Sequence, residues 1–230
     1  MAIINIETAT NVCSVAVSES GGIIFERASF DVLSHASLLG VFVEEAVNES
    51  VLHGVKIDAV AVSSGPGSYT GLRIGVSMAK GLCFGWNVPL ISVPTLDILA
   101  SSVIGDINED ALFCAMLDAR RMEVYSAIYD RFTKRVCDTE AVIVSEDSYA
   151  SLLKKQNVYF FGNGADKCKS VITSPNAIFI DGLSPLAREM VALSECAFAE
   201  KKFENVAYFE PFYFKDFVAT VSKNKVLSEK

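Results

Sequence analysis

The chain holds few of the residues that usually carry metal or covalent chemistry. Its two histidines, His35 and His53, lie far apart, with no cysteine or carboxylate cluster beside either. A zinc or iron site needs three or four convergent ligands, so no transition-metal centre is expected. The six cysteines, Cys13, Cys83, Cys114, Cys137, Cys168 and Cys196, form no CxxC pair. Their scatter predicts reduced, mostly buried thiols in a cytoplasmic protein. No GxSxG nucleophile elbow, no Walker A motif and no GxGxxG fingerprint occurs. No uninterrupted apolar run is long enough to span a membrane, and the first residues, MAIINIETAT, lack the basic and apolar regions of a signal peptide. Positive charge is also short. The formal net charge is -8, which on average repels phosphate backbones and argues against autonomous nucleic-acid binding.

What is present is an apolar chain of 230 residues, 51% hydrophobic and 21% charged, ample for one large domain or two small ones sharing a core. Alternation and apolar runs predict strands over AIINIE, VCSVAVS, GGIIFERASF, IDAVAVSS and PLISV. Helices are expected over 35–52, 71–85 and from Pro94 to about Ser102. A polar break, GDINED at 105–110, is followed by a second start: ALFCAML, the turn DARRME and VYSAIYD. Glu7 and Asp118 end the first strand of each half, so two similar α/β lobes are expected, each opening with a β-hairpin. Their bounds are set at 1–104 and 105–221, with a fraying tail at 222–230. Later elements are a helix near 145–155, the strands VYFFG and AIFID, and a helix from about 184 to 202.

Three features invite a functional reading, each beside a plainer one. The turn Glu7-Thr8-Ala9-Thr10 has the residue types to hold a hydrated metal or a phosphate; local hydrogen bonding alone favours the same residues, and the plainer reading, an ordinary polar hairpin, is preferred here. The loop SSGPGSYTGLRIG, with Gly65, Gly67 and Ser68 ahead of a helix, could present N–H groups to an anion, or its glycines could serve tight packing. The helix behind it holds Gly71, Gly75, Gly81 and Gly85, and interior glycines call for close backbone approach to another element. On the helix at 35–52, Leu39, Phe42, Val43, Ala46 and Val47 form one apolar face, with Leu38 and Val41 outside it. That surplus fits either a covered partner or burial within the chain's own domain.

The motifs IETAT, SSGPGSYTGLRIG, KGLCFG, PLISVPTLDILA, LDARRMEVY, GNG and EPFYFK occur in this order along nearly the whole length. In them the chain resembles the TsaB family, also called YeaZ. The resemblance implies a duplicated ASKHA fold, as in actin, Hsp70 and sugar kinases. It implies a non-catalytic subunit that binds and activates TsaD, with TsaE as a further partner. The complex makes N6-threonylcarbamoyladenosine at position 37 of tRNAs reading ANN codons, and tRNA is reached only through it. No cofactor is implied. The Asp-x-Gly phosphate hairpin of ASKHA ATPases is replaced here by Glu7-Thr8-Ala9, and the His-x-x-x-His pair of TsaD-like relatives by His35 and Leu39. The contrasting reading is an autonomous ASKHA-type ATPase, or a hydrolase of the M22 glycoprotease type. It would use Glu7 and Asp118 as metal-facing carboxylates and Thr10 and Ser68 as phosphate contacts. Under the favoured reading Leu38, Val41, Gly75, Ser77, Met78 and Leu82 face TsaD, and the same surface forms a weaker homodimer.

Overall fold

The computed structural model describes residues 1–31 and 35–214. Among the described residues, ten strands build two five-stranded sheets. The first contains β1 (Ala2–Glu7), β2 (Cys13–Glu19), β3 (Gly22–Ser29), β4 (Ala59–Ser63) and β5 (Leu90–Val93). The second contains β6 (Leu112–Asp118), β7 (Glu123–Tyr129), β8 (Arg135–Ile143), β9 (Val158–Phe161) and β10 (Ala177–Ile180). Their orders are β3-β2-β1-β4-β5 and β10-β9-β6-β7-β8. Taken from its own first strand, each sheet has the same order, with three antiparallel strands followed by two parallel ones. The hairpin echo around Glu7 and Asp118 is therefore part of a repeat of the whole sheet. Segments 2–18 and 111–129 are both β-hairpins, as expected.

Among the described residues, five α-helices accompany the sheets: α1 (His35–Leu52), α2 (Tyr69–Trp86), α3 (Thr95–Ile104), α4 (Ala150–Leu153) and α5 (Val191–Ala199). Helices α1 and α2 cover one face of the first sheet, where Leu39, Val43, Val76 and Ala79 meet Ile4, Ile6, Val15 and Val17. The other face, with Ile3, Ala59, Ala61, Ile91 and Val93, packs against Met190 and Leu193, Ala197 and Phe198 from α5. Helix α3 makes the opposite crossing. Its Leu96, Leu99 and Val103 join Phe113, Ala115, Ala127 and Phe161 of the second sheet. The two halves thus exchange helices. A cut at 104/105 separates the sheets but not the helices that cover them.

A polar cluster pins α3 in place. Tyr129, 2% exposed, donates its hydroxyl to Asp97 Oδ1 at 2.6 Å, and the Arg135 guanidinium pairs with the same carboxylate.

Three elements depart from expectation. Strand β8 is an added edge strand; it is largely exposed and carries Arg135, Asp138 and Glu140, the charged pattern that protects sheet edges from further pairing. The helix expected at 145–155 is a single turn, since Tyr149 sits at φ 61° in the left-handed region, which a right-handed helix cannot pass through. The helix expected over 184–202 starts late. Proline at 185 disfavours helix at the residue before it, Leu186 is extended, and a 3-10 turn at Ala187–Met190 leads into α5. The expected tail, 222–230, lies outside the described residues. No helix among the described residues is long and apolar enough to cross a membrane.

Candidate partner interface

The glycine-rich loop lies against the first hairpin turn. Ser68 N–H donates to the Ala9 carbonyl at 2.6 Å, and Thr8 Oγ1 donates to the Gly71 carbonyl at 2.9 Å. A Cβ on Gly67 would overlap Ala9, and one on Gly71 or Gly75 would overlap Thr8. So these glycines allow the start of α2 to close down on the hairpin. Ser68 also caps α2, accepting from Gly71 N–H at 3.3 Å. Gly65, at φ 104°, touches another cover: its Cβ would lie 2.6 Å from the Phe212 carbonyl oxygen.

Glu7 lies beneath this seal, fully buried, with Oε1 accepting from Ala9 N–H at 2.5 Å and Oε2 without a partner among the described residues. Burial pushes its carboxyl up to about 8, against the pull of the Ala9 N–H. Thr10 is buried and accepts from Val12 N–H at 3.3 Å. Asp118, the matching residue of the second lobe, is exposed; it accepts from Arg120 N–H at 3.0 Å and pairs with Lys167. The vestigial phosphate-loop candidates are thus divided between a sealed turn and an open one.

The outer faces of α1 and α2 form an open groove of about 820 Å³. Ala36 of α1 and Tyr69, Thr70, Arg73, Ile74, Ser77, Met78, Gly81 and Leu82 of α2 line it. The structure brings three of the expected interface residues, Ser77, Met78 and Leu82, to this groove. Ser77 is exposed, whereas Met78 and Leu82 are half-buried and also pack on the first lobe's core. On α1, Val41 is 45% exposed and Leu38 half-buried, neither of them lining the groove. Gly75 requires a correction. It is buried against Thr8, on the inward side of α2, and cannot belong to an exposed partner-facing surface. The glycine that does open onto the groove is Gly81, where an added Cβ would find nothing within 4 Å.

Sequence reasoning missed the last described segment. Lys80 Nζ donates to the carbonyls of Ala207 and Phe209 at 3.0 and 3.1 Å, and Phe212 N–H donates to the Ser64 carbonyl at 2.7 Å. Tyr213 packs on Tyr69 at 4.8 Å between ring centroids, and Arg73 bonds the Tyr69 hydroxyl at 2.6 Å. This strap, containing the EPFYF of the motif, therefore borders the groove. Its aromatic spacing was the available signal.

Residues 7–230 match the family described as TsaD, tRNA N6-adenosine threonylcarbamoyltransferase. The tRNA threonylcarbamoyladenosine biosynthesis protein TsaB of Escherichia coli K12 is 32% identical over 227 residues, 95% of this chain and 96% of that protein. The chain belongs to this family, in its TsaB (YeaZ) branch. TsaB of Haemophilus influenzae is 27% identical over 229 residues, 94% of each chain. YeaZ from Pseudomonas aeruginosa superposes with a TM-score of 0.73 at 26% identity, over 92% of this chain and 99% of that one. A crystal structure of a protein with similarity to peptidase YeaZ reaches a TM-score of 0.80 at 24% identity, over 93% and 99%. The fold is the duplicated ASKHA architecture of this TsaB branch.

The histidines serve local structure. His35 is buried, with Nε2 3.1 Å from the Val12 carbonyl, which ties the start of α1 to the end of the first hairpin turn. Leu39, one turn on, lies in the core at 1% exposure. His53 is exposed and reaches the Glu49 carbonyl at 2.9 Å. All six cysteines are free thiols, Cys13, Cys83, Cys114 and Cys168 buried and Cys137 and Cys196 exposed.

Proposed function

We propose that this protein is the non-catalytic partner subunit that binds and activates TsaD in forming the threonylcarbamoyl group on adenosine 37 of tRNAs reading ANN codons. TsaE joins the complex, and without TsaD the same surface forms a weaker homodimer. The observation that carries this reading is the open groove on α1 and α2, lined by half-buried Ile74, Met78 and Leu82 beside exposed Ala36 and Ser77. Apolar surface of this kind on a small domain is stabilised by a partner's helices.

Two features favour a binding role over chemistry of its own. The first hairpin turn, where an ASKHA ATPase would hold phosphate, is sealed by Gly67 and Gly71 over Thr8 and Ala9. Leu39 stands in the core where a second helical ligand would be needed beside His35. Names given to the relatives, tRNA threonylcarbamoyladenosine biosynthesis proteins, agree with the pathway. The test is reconstitution of threonylcarbamoyl transfer to an ANN-reading tRNA from an activated threonylcarbamoyl donor, with ATP and purified TsaD and TsaE, with and without this chain. A product that forms only when the chain is present, while the chain alone turns over no ATP, is expected. ATP turnover by the chain alone would favour the ATPase reading.

A further inference from the structure

The two hairpin turns hold equivalent places in the two lobes and differ in charge. The first is small, uncharged beyond Glu7, and covered by α2. The second presents Arg120 and Arg121, both exposed and both at positive φ, 70° and 49°. Tight hairpin turns require positive φ, which asparagine and glycine adopt with least strain. Turn geometry alone therefore does not account for two consecutive arginines.

The turn is also well anchored. Ala119 N–H donates to the Glu123 carbonyl at 3.0 Å and Glu123 N–H to the Arg120 carbonyl at 3.1 Å. Asp118 N–H donates to Asn163 Oδ1 at 3.0 Å, and Gly164 closes against the Leu117 backbone from below. Lys167 pairs with Asp118 and also reaches the Glu123 carbonyl, so the carboxylate beside the turn already has its counter-charge. Neither guanidinium has a hydrogen bond or an ion pair among the described residues. In a chain of net charge -8, two uncompensated cations side by side on a rigid, exposed turn stand out.

We propose that the Arg120–Arg121 turn is a contact site for the phosphate backbone of RNA. Guanidinium forks match phosphate oxygens bidentately, and an exposed turn with no enclosing walls suits a passing backbone better than a small, buried anion. The choice of RNA over an acidic protein rests on the proposed role. Repulsion by the rest of the acidic chain keeps the isolated contact weak, so it contributes chiefly inside the complex.

The experiment titrates the full chain alone, at low salt, with an unmodified ANN-reading tRNA transcript, following arginine Nε–H signals by NMR and affinity by fluorescence anisotropy. Signals of Arg120 and Arg121 should shift with tRNA and return as salt is added. The double variant Arg120→Asn/Arg121→Gly keeps a turn that accepts positive φ, so its fold is preserved. It should bind at least about fivefold more weakly, with the slope of log affinity against log salt reduced by about two. Poly-glutamate and inorganic tripolyphosphate run in parallel. Equal tRNA affinity of variant and parent overturns the proposal. So does an equal response to poly-glutamate, which marks an acidic-protein site, or to tripolyphosphate, which marks a small-anion site. Because the chain is used alone, failure here leaves the TsaD reading standing; that reading fails separately, if TsaD does not bind.

Discussion

Thr8 donates its hydroxyl to the carbonyl of Gly71 at 2.9 Å, joining the first hairpin turn to the opening turn of α2 across 63 residues of sequence. This contact explains why α2 contains glycine where helices usually avoid it. A methyl group at Gly71 or Gly75 would overlap Thr8, whereas Gly81 and Gly85 have open space around them. Gly71→Ala and Gly75→Ala should each cost about 1–3 kcal/mol through overpacking. Gly81→Ala and Gly85→Ala should each add about 0.5–1 kcal/mol through helix propensity. Urea unfolding of the four variants checks both signs; equal effects at all four positions would contradict the packing account.

Glu7 makes stability depend on pH in an unusual direction. Below about 4.5 its carboxyl is protonated in both the folded and the unfolded chain. As pH rises towards about 8, the unfolded chain releases that proton while burial holds it in the folded chain. The folded state then binds more protons, so stability falls across this window, and the loss is complete above it. Its size is on the order of a few kcal/mol. Glu7→Gln should flatten this part of the curve. Unfolding midpoints of parent and variant measured from pH 5 to 9 would refute the assignment if they ran parallel.

The Tyr129–Asp97–Arg135 cluster holds α3 of the first half against the second sheet. Tyr129→Phe should cost about 0.5–1.5 kcal/mol, and Asp97→Ala about 1–3 kcal/mol because it strands the half-buried Arg135 charge and the buried Tyr129 hydroxyl. Calorimetry should find both variants folded with lowered Tm. An unchanged Tm for Asp97→Ala would show that α3 is held by its apolar face alone.

Much of this architecture is legible in the residues. Alternation marks both hairpins, and the i, i+3, i+4 spacing of Leu39, Phe42, Val43, Ala46 and Val47 marks the core face of α1, which the structure buries or half-buries. Glycine content also shows that α2 approaches something closely. What spacing does not show is the direction of that approach. Gly75 shares a face with Gly71, Leu72, Val76 and Ala79, and only the tertiary fold turns that face towards Thr8. Strand β8 escapes notice because an edge strand with charged, exposed positions lacks the apolar alternation that marks buried ones. The strap escapes because its anchors, Lys80 to Phe209 and Phe212 to Ser64, join positions more than a hundred residues apart in irregular backbone.

Half-burial separates useful interface variants from damaging ones. Val41 and Ser77 are exposed, so Val41→Asp and Ser77→Asp should change unfolding stability by no more than about 0.5 kcal/mol. Met78→Asp removes a side chain that also packs on the core and should destabilise the isolated protein as well. Circular dichroism melts of the three variants check this order. A Met78→Asp protein as stable as the parent would mean that Met78 serves the groove alone.

The central claim, that the α1–α2 face is the surface through which this chain activates TsaD, is tested most directly by tRNA modification itself. Threonylcarbamoyladenosine formed on an ANN-reading tRNA is measured in a reaction with an activated threonylcarbamoyl donor, ATP, TsaD and TsaE at fixed concentrations, titrating either the parent chain or the Val41→Asp/Ser77→Asp variant. An unpaired charge buried at such a surface costs several kcal/mol, against the roughly 8 kcal/mol of a micromolar complex. The account predicts that the folded variant needs at least about thirtyfold more protein for half-maximal product, equivalent to about 2 kcal/mol. Half-maximal product at the same concentration as the parent would contradict it.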